Sequence, residues 1–270
     1  MSFTKLIGLT GPSTFTPDCI RMIEDGLKCN FILLYQNRME HIQQWLDNCD
    51  GLIVSGGVDM HPTLYDESVK SNMGLTKFDY ARDVKELLII DYCFKQKKPI
   101  MGICRGHQLM AVYKGLGRDF IMDLDGKYIH QPTKYSLNLQ KNEPAHKVEL
   151  IAPDIFNVPA PEERKVFRDT IPGNEAGECP KAWVNSWHHQ GVKYIKKHKE
   201  QYAKLNLRIL AIAPTGMEDN SQVIEMMTGT GQESFWVTTQ WHPEADWEEN
   251  SASRNAMKMY EAMLANYKKE

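Results

Sequence analysis

A chain of 270 residues that is 42% hydrophobic and 25% charged has the composition of a soluble globular protein, which excludes a disordered chain, a coiled coil and a membrane-spanning bundle. Lys and Arg number 32 against 35 Asp and Glu, a net charge of −3, so no global field gathers nucleic acid or anionic membrane, and the partner these numbers point to is a small molecule. The six cysteines (Cys19, Cys29, Cys49, Cys93, Cys104 and Cys179) have no CxxC spacing, which speaks against a disulfide framework or a zinc site and for free thiols in a reducing cytoplasm.

The opening MSFTKLIGLTGP carries one Lys and a short, glycine-broken apolar stretch, too little for a signal peptide, and the longest apolar runs have only strand length. Lys5 to Thr10 reads as a buried strand. Thr16-Pro17-Asp18 then supplies a cap, a proline at the first helical position and an acid in the first turn, with Ile20, Ile23 and Leu27 on one face. Asn30 to Tyr35 is a second strand, Arg38 to Asp47 a helix, and Gly51 to Ser55 a third strand ending in the turn Gly56-Gly57. A helix over Asp79 to Lys97 has Val84, Leu87, Leu88, Ile90 and Cys93 as its predicted inner face. Pro99 to Ile103 is the fourth strand, and Arg105 to Leu116 is helical again. Strand and helix alternating in this way predict an α/β fold with a parallel sheet covered on both sides. Residues 153–180, rich in proline and charge, read as a surface insertion rather than a domain boundary, because strand-like runs resume at Ala182–Asn185, Leu207–Ala213, Gln222–Met226 and Phe235–Gln240 before a last helix from Ser251 to Tyr267. The basic run Lys193 to Lys204 reads as a solvated helix face.

The sharpest local pattern is Gly102-Ile103-Cys104-Arg105-Gly106, where an apolar strand meets a helix. It is a nucleophile elbow with cysteine in the nucleophile position: a tight, strained turn lifts the sulfur above the sheet and sets it at a helix N-terminus, where the dipole favours thiolate. A thiolate of this kind needs a base, and the base needs a group to orient it. Gln240-Trp241-His242-Pro243-Glu244 offers both, since residues two apart in an extended segment face the same way and Glu244 can hold the His242 ring.

At these residues the chain resembles the class I glutamine amidotransferase-like superfamily, and within it the gamma-glutamyl hydrolase branch that includes gamma-glutamyl-gamma-aminobutyrate hydrolases. Four blocks carry the resemblance: Ser55-Gly56-Gly57-Val58-Asp59 with Pro62 and Tyr65; Asp79 with Arg82-Asp83; Gly102 to Gln108; and Val184 to Gln190 together with Gln240 to Glu244. The resemblance implies one domain on a flavodoxin-like, mostly parallel sheet, a Cys104, His242 and Glu244 triad, and an oxyanion hole from the backbone N–H groups of Gly57 and Arg105. Gly56, Gln108, Asn185, Ser186, His188 and His189 are the candidates for contact with substrate. His188 and His189, adjacent in an extended segment, point to opposite faces, so a two-histidine metal site is a poor fit, and the chemistry requires neither metal nor organic cofactor. Arg82 is placed for a surface ion pair with Asp79 or Asp83, or for substrate contact, and Trp187 and Trp241 either stack on a leaving group or pack.

The chain departs from the branch after the elbow, with Ala111-Val112 and Gly115-Leu116-Gly117-Arg118-Asp119, and again at Pro214 to Asn220. Those changes bear on substrate identity rather than on the triad. The expected activity is hydrolysis of a gamma-glutamyl amide through a thioester; the alternatives are a glutaminase subunit that supplies ammonia to a separate synthetase, and a catalytically silent binding module. A homodimer is left open. A neutral His242 base would make activity fall at low pH, and a Cys104–His242 ion pair in the resting enzyme would displace that limb.

Overall fold

Apolar residues two apart in the first three strand-like runs settle which way each strand faces. The computed structural model describes residues 5–12, 16–35, 39–65, 78–121, 124, 130–131, 142–152, 181–217 and 219–269. In it β1 (Leu6–Thr10), β2 (Asn30–Leu33), β3 (Gly51–Val54) and β4 (Ile100–Ile103) pair in parallel in the order β2-β1-β3-β4, and β11 (Trp236–Thr239) adds a fifth parallel strand beside β4. Beyond β11 the sheet turns antiparallel through β10 (Gln222–Gly229), β9 (Leu207–Pro214), β6 (His146–Leu150) and β7 (Lys181–Val184). A side branch pairs β5 (Phe120–Ile121) with β8 (Gly191–Tyr194), and β8 with β10. The parallel sheet flanked by helices is therefore the one the alternation predicts, and the later strands extend it without starting a second core.

Each face has its own apolar layer. Ile7, Leu9, Ile53 and Met101 pack under α1 (Pro17–Arg21) and α7 (Ser251–Asn266), whereas Leu52, Val54 and Ile100 pack under α2 (Met39–Asn48), α3 (Tyr80–Lys95) and α4 (Arg105–Tyr113). Alternate residues of β3 thus go to opposite layers, the period-2 rule of a strand buried on both sides. The expected insertion at 153–180 lies outside the described residues. The basic run divides: Lys193 and Tyr194 end β8, and α5 (Lys199–Lys204) buries Tyr202 while its lysines face water.

One expectation is corrected at α3. Val84 and Leu88 are exposed, and the inward stripe is Arg82, Asp83, Glu86, Ile89, Ile90 and Cys93. The reason is electrostatic. Arg105, the residue after the candidate nucleophile, lies buried and ion-paired to both Asp83 and Glu86, while Arg82 Nε donates to Glu86 Oε1 at 2.9 Å. Arg82 is therefore no surface pair: it is 3% exposed and its Nη2 donates to the Gly56 carbonyl at 2.9 Å. Two guanidiniums and two carboxylates compensate one another in a dry layer, and although burial works to raise the Glu86 carboxyl, the guanidiniums of Arg105 and Arg82 hold it below its ordinary value. Removing one charge leaves the others unmatched, so Glu86→Gln is expected to lose about 3–5 kcal/mol in urea denaturation. A loss below about 1 kcal/mol would mean that the cluster is no more than an exposed ion pair in its energetics.

Candidate active site

The C-terminal ends of β3 and β4 stand side by side at the middle of the sheet, the place where open α/β sheets present ligands. β4 runs directly into α4 through Cys104, whose φ of 51° and ψ of −105° are a backbone conformation that L residues avoid. Its N–H donates to the Thr239 carbonyl at 2.8 Å, which ties the elbow to the end of β11. Gly106 is required by a close approach: a Cβ there would sit 2.1 Å from the Val54 carbonyl oxygen. Among the described residues no side chain caps α4, so the N–H groups of its first turn stay directed at the space beside the sulfur.

β11 delivers the partner residues. His242 caps the short helix α6 (Pro243–Asp246), and Glu244 lies inside it, so the pair meets across a helical turn rather than along an extended segment. The contact itself is the expected one: His242 Nδ1 lies 2.7 Å from Glu244 Oε1, and the Cys104 sulfur acts on the same ring electrostatically. Burial works against an imidazolium here, but the Glu244 carboxylate and the Cys104 sulfur outweigh it and bring the His242 pKa up to about 10. Gln240 Nε2 approaches Cys104 Sγ at 3.8 Å, a contact the sequence did not single out.

Gly57 lies beside the elbow, and a Cβ on it would sit 2.1 Å from Arg82 Nη1. Glycine is needed there because Arg82 is packed directly beneath the turn. The buried charge cluster thus touches both proposed oxyanion donors, Arg105 as part of its own chain and Gly57 through Arg82 and the Gly56 carbonyl. Sequence reading missed this because the cluster is assembled from α3 and α4, whose charges look like solvated ones.

A cavity of about 170 Å³ opens over Cys104, lined by Gly57, Asp59, Arg105 and Gln108 on one side and by Trp187, His188 and His189 on the other. That is below the roughly 300–1,000 Å³ of drug-sized ligand sites and suits an amino-acid-sized group. Gln108 reaches it as expected, with Nε2 donating to the Gln190 carbonyl at 3.1 Å. His188 and His189 diverge as the alternation predicts, His188 toward Glu225 and His189 to Asp59 at 3.0 Å. Three of the expected substrate contacts lie outside the cavity lining. Asn185 is outside the cavity lining and spends both ends of its amide on the His242 backbone, donating to the carbonyl and accepting from the N–H, each at 2.8 Å. Ser186 Oγ donates to the His130 carbonyl at 2.7 Å, away from the cavity. Gly56 is buried between Cys104 and His242. The tryptophans divide: Trp187 lines the cavity 5.3 Å from the His242 ring, and Trp241 is fully buried with its indole N–H on Ser253. Asn185→Ala is expected to lower turnover about tenfold while leaving substrate affinity nearly unchanged, because it frees the His242 backbone without touching the cavity; steady-state kcat and KM separate the two.

Residues 10–244 match the model of the Peptidase C26 family. The chain belongs to that family. It is 30% identical to the glutamine amidotransferase-like protein YvdE of Lactococcus lactis over 222 residues, 80% of this chain and 75% of that one. It is 29% identical to the gamma-glutamyl-gamma-aminobutyrate hydrolase PuuD of Escherichia coli over 214 residues, 79% of this chain and 71% of that one. Among solved structures it resembles the glutaminase domain of Trypanosoma brucei CTPS (TM-score 0.57, 14% identity, 99% of this chain and 97% of that one) and a glutamine amidotransferase of Thermotoga maritima (TM-score 0.54, 14% identity, 98% and 99%). At those identities the two structures speak to the fold, which is that of glutamine amidotransferases. Among the described residues no helix is long and apolar enough to cross a membrane.

Proposed function

We propose that this member of the Peptidase C26 family hydrolyses a gamma-glutamyl amide through a thioester on Cys104. The observation that carries the reading is the strained Cys104 elbow facing a His242 ring that is held by Glu244 at 2.7 Å. The Cys104 thiolate attacks the gamma carbonyl, and the charge that builds on its oxygen is met by the N–H groups of Gly57 and Arg105, each such donor being worth about 3 kcal/mol. The His242 imidazolium gives its proton to the departing amine as the C–N bond breaks. The neutral ring then takes a proton from water, which attacks the thioester; glutamate leaves, and thiolate and imidazolium are restored. Asp59, on the cavity wall, offers a carboxylate to the ammonium group of the glutamyl unit.

Glutamate release from glutamine, gamma-glutamyl-gamma-aminobutyrate, a gamma-glutamyl dipeptide and a polyglutamylated folate tests the reading. One gamma-glutamyl compound is expected to be turned over much faster than glutamine. Cleavage of glutamine alone would instead make the chain a glutaminase that supplies ammonia to a separate synthetase, and release from none of the four would make it a binding module.

A further inference from the structure

Behind the cavity wall, and independent of the catalytic reading, four titratable side chains from distant parts of the chain meet in a dry interior. Glu225 is fully buried on β10; His130, His146 and His188 surround it, with His130 Nδ1 at 3.7 Å, His146 Nε2 at 3.2 Å and His188 Nε2 at 3.5 Å from its Oε1. The sheet is locally irregular at this residue. The β9–β10 register steps from Ile224 opposite Ile212 to Met226 opposite Ala211, so Glu225 is the extra residue of a β-bulge, a device that re-aims a side chain.

The tautomers follow from the outer partners. His130 Nε2 faces the Pro214 carbonyl at 2.9 Å and His188 Nδ1 faces the Gln190 carbonyl at 2.9 Å. A carbonyl only accepts, so these two nitrogens carry the protons, and in the neutral rings His130 Nδ1 and His188 Nε2 are bare lone pairs. Both are buried without a hydrogen-bond partner among the described residues, and both face a carboxylate oxygen. Three electron-pair donors turned toward one another in a dry site repel unless a cation lies among them. A single proton on one ring would satisfy one of these contacts; a metal ion satisfies all three.

We propose that His130 Nδ1, His188 Nε2 and the Glu225 carboxylate bind a divalent transition-metal ion of the zinc class, with His146 hydrogen-bonded to the carboxylate. The three ligand atoms lie within 4.8 Å of one another. Tetrahedral zinc with bonds of about 2.0–2.1 Å has ligand–ligand edges of about 3.3 Å, so the two measured edges to Glu225 need to contract by only a few tenths of an ångström. Imidazole nitrogen with one carboxylate selects zinc-like ions over calcium or magnesium, and a carbonyl on the far nitrogen of each ligating ring is the usual way such rings are oriented. The neighbours of His188, Trp187 and His189, line the catalytic cavity, so the ion would stiffen the wall opposite Cys104 and take no part in bond breaking. Ser186, which donates to the His130 carbonyl, and the His188 N–H, which donates to the same oxygen at 2.9 Å, tie the first ligand to the second.

The test uses the full chain carrying Cys104→Ser, which removes the thiolate that would compete for soft metal. After stripping with a chelator, the protein is titrated with Zn²⁺ and with Co²⁺, desalted and assayed for retained metal, for its melting temperature and for the visible Co²⁺ spectrum. One retained equivalent is expected, with a rise of several degrees in Tm and a Co²⁺ spectrum free of thiolate charge transfer. His130→Gln is expected to weaken binding by more than about a hundredfold and to abolish the rise in Tm while keeping the far-UV CD of the parent; Glu225→Gln should do the same. A folded protein that retains no metal overturns the proposal. So does retention of an undiminished equivalent by His130→Gln, which would place the ion elsewhere.

Discussion

On the proposed mechanism, Cys104→Ala is expected to lower turnover by about 10,000-fold or more, because it removes the atom assigned to the covalent bond and leaves the proposed oxyanion donors and the cavity in place. The same protein should keep the fold of the parent. Cys104 sits at φ 51°, ψ −105°, a conformation that costs an L side chain about 1–2 kcal/mol, and this cost stays in Ala and disappears in Gly. Cys104→Gly should therefore be inactive and yet more stable than Cys104→Ala by about 1 kcal/mol in urea denaturation. Such opposition between stability and activity at one residue is expected of a strained nucleophile and not of a buried structural cysteine, whose loss would open a cavity and destabilise. Near-normal turnover by Cys104→Ala would sink the mechanism, and Gly less stable than Ala would remove the strain argument.

The parts of this molecule that are legible in the sequence are those in which local pattern and final environment agree. The parallel strands are short apolar runs followed by glycine or helix signals, and β1, β3 and β4 lie within a residue or two of where those runs put them. The elbow is legible for the same reason, since Gly102, Cys104 and Gly106 are fixed by contacts within a few residues and with the adjoining strand. The face of α3 was not. Hydrophobic periodicity assigns Val84 and Leu88 to the core, but the carboxylates of Asp83 and Glu86, the second of which also pairs with Arg82, find their partner in Arg105, on a helix whose own pattern says nothing about them. The side chains of Asn185 and Ser186 turn to backbone groups of His242 and His130, partners 57 and 56 residues away that no local pattern points to. The grouping of His130, His146, His188 and Glu225 depends on a bulge in β10 and has no spacing in the sequence to betray it.

Glu244→Gln is expected to change the pH dependence of catalysis more than its extent at the optimum. In the parent, the Glu244 carboxylate and the Cys104 sulfur hold His242 at a pKa of about 10 against burial, so the resting site is an imidazolium across neutral pH. The acid limb expected of a neutral base near the ordinary histidine value of about 6.5 should then be absent, and kcat/KM should stay level through neutral pH and fall only as His242 loses its proton on the alkaline side, near pH 10. Glu244→Gln removes the largest of the influences that raise this pKa and leaves burial, which lowers it, so the alkaline limb should move down by several pH units and activity at pH 8 should fall well over tenfold. Stability must follow the same protons. A histidine whose folded pKa exceeds its unfolded value contributes stability that is complete below about pH 6.5 and is lost as pH rises through about 10, so the parent's Tm should decline over that window more steeply than that of Glu244→Gln. An acid limb near 6.5 in the parent would show a neutral resting ring, and a pair of unshifted profiles would show that Glu244 orients His242 without governing its charge.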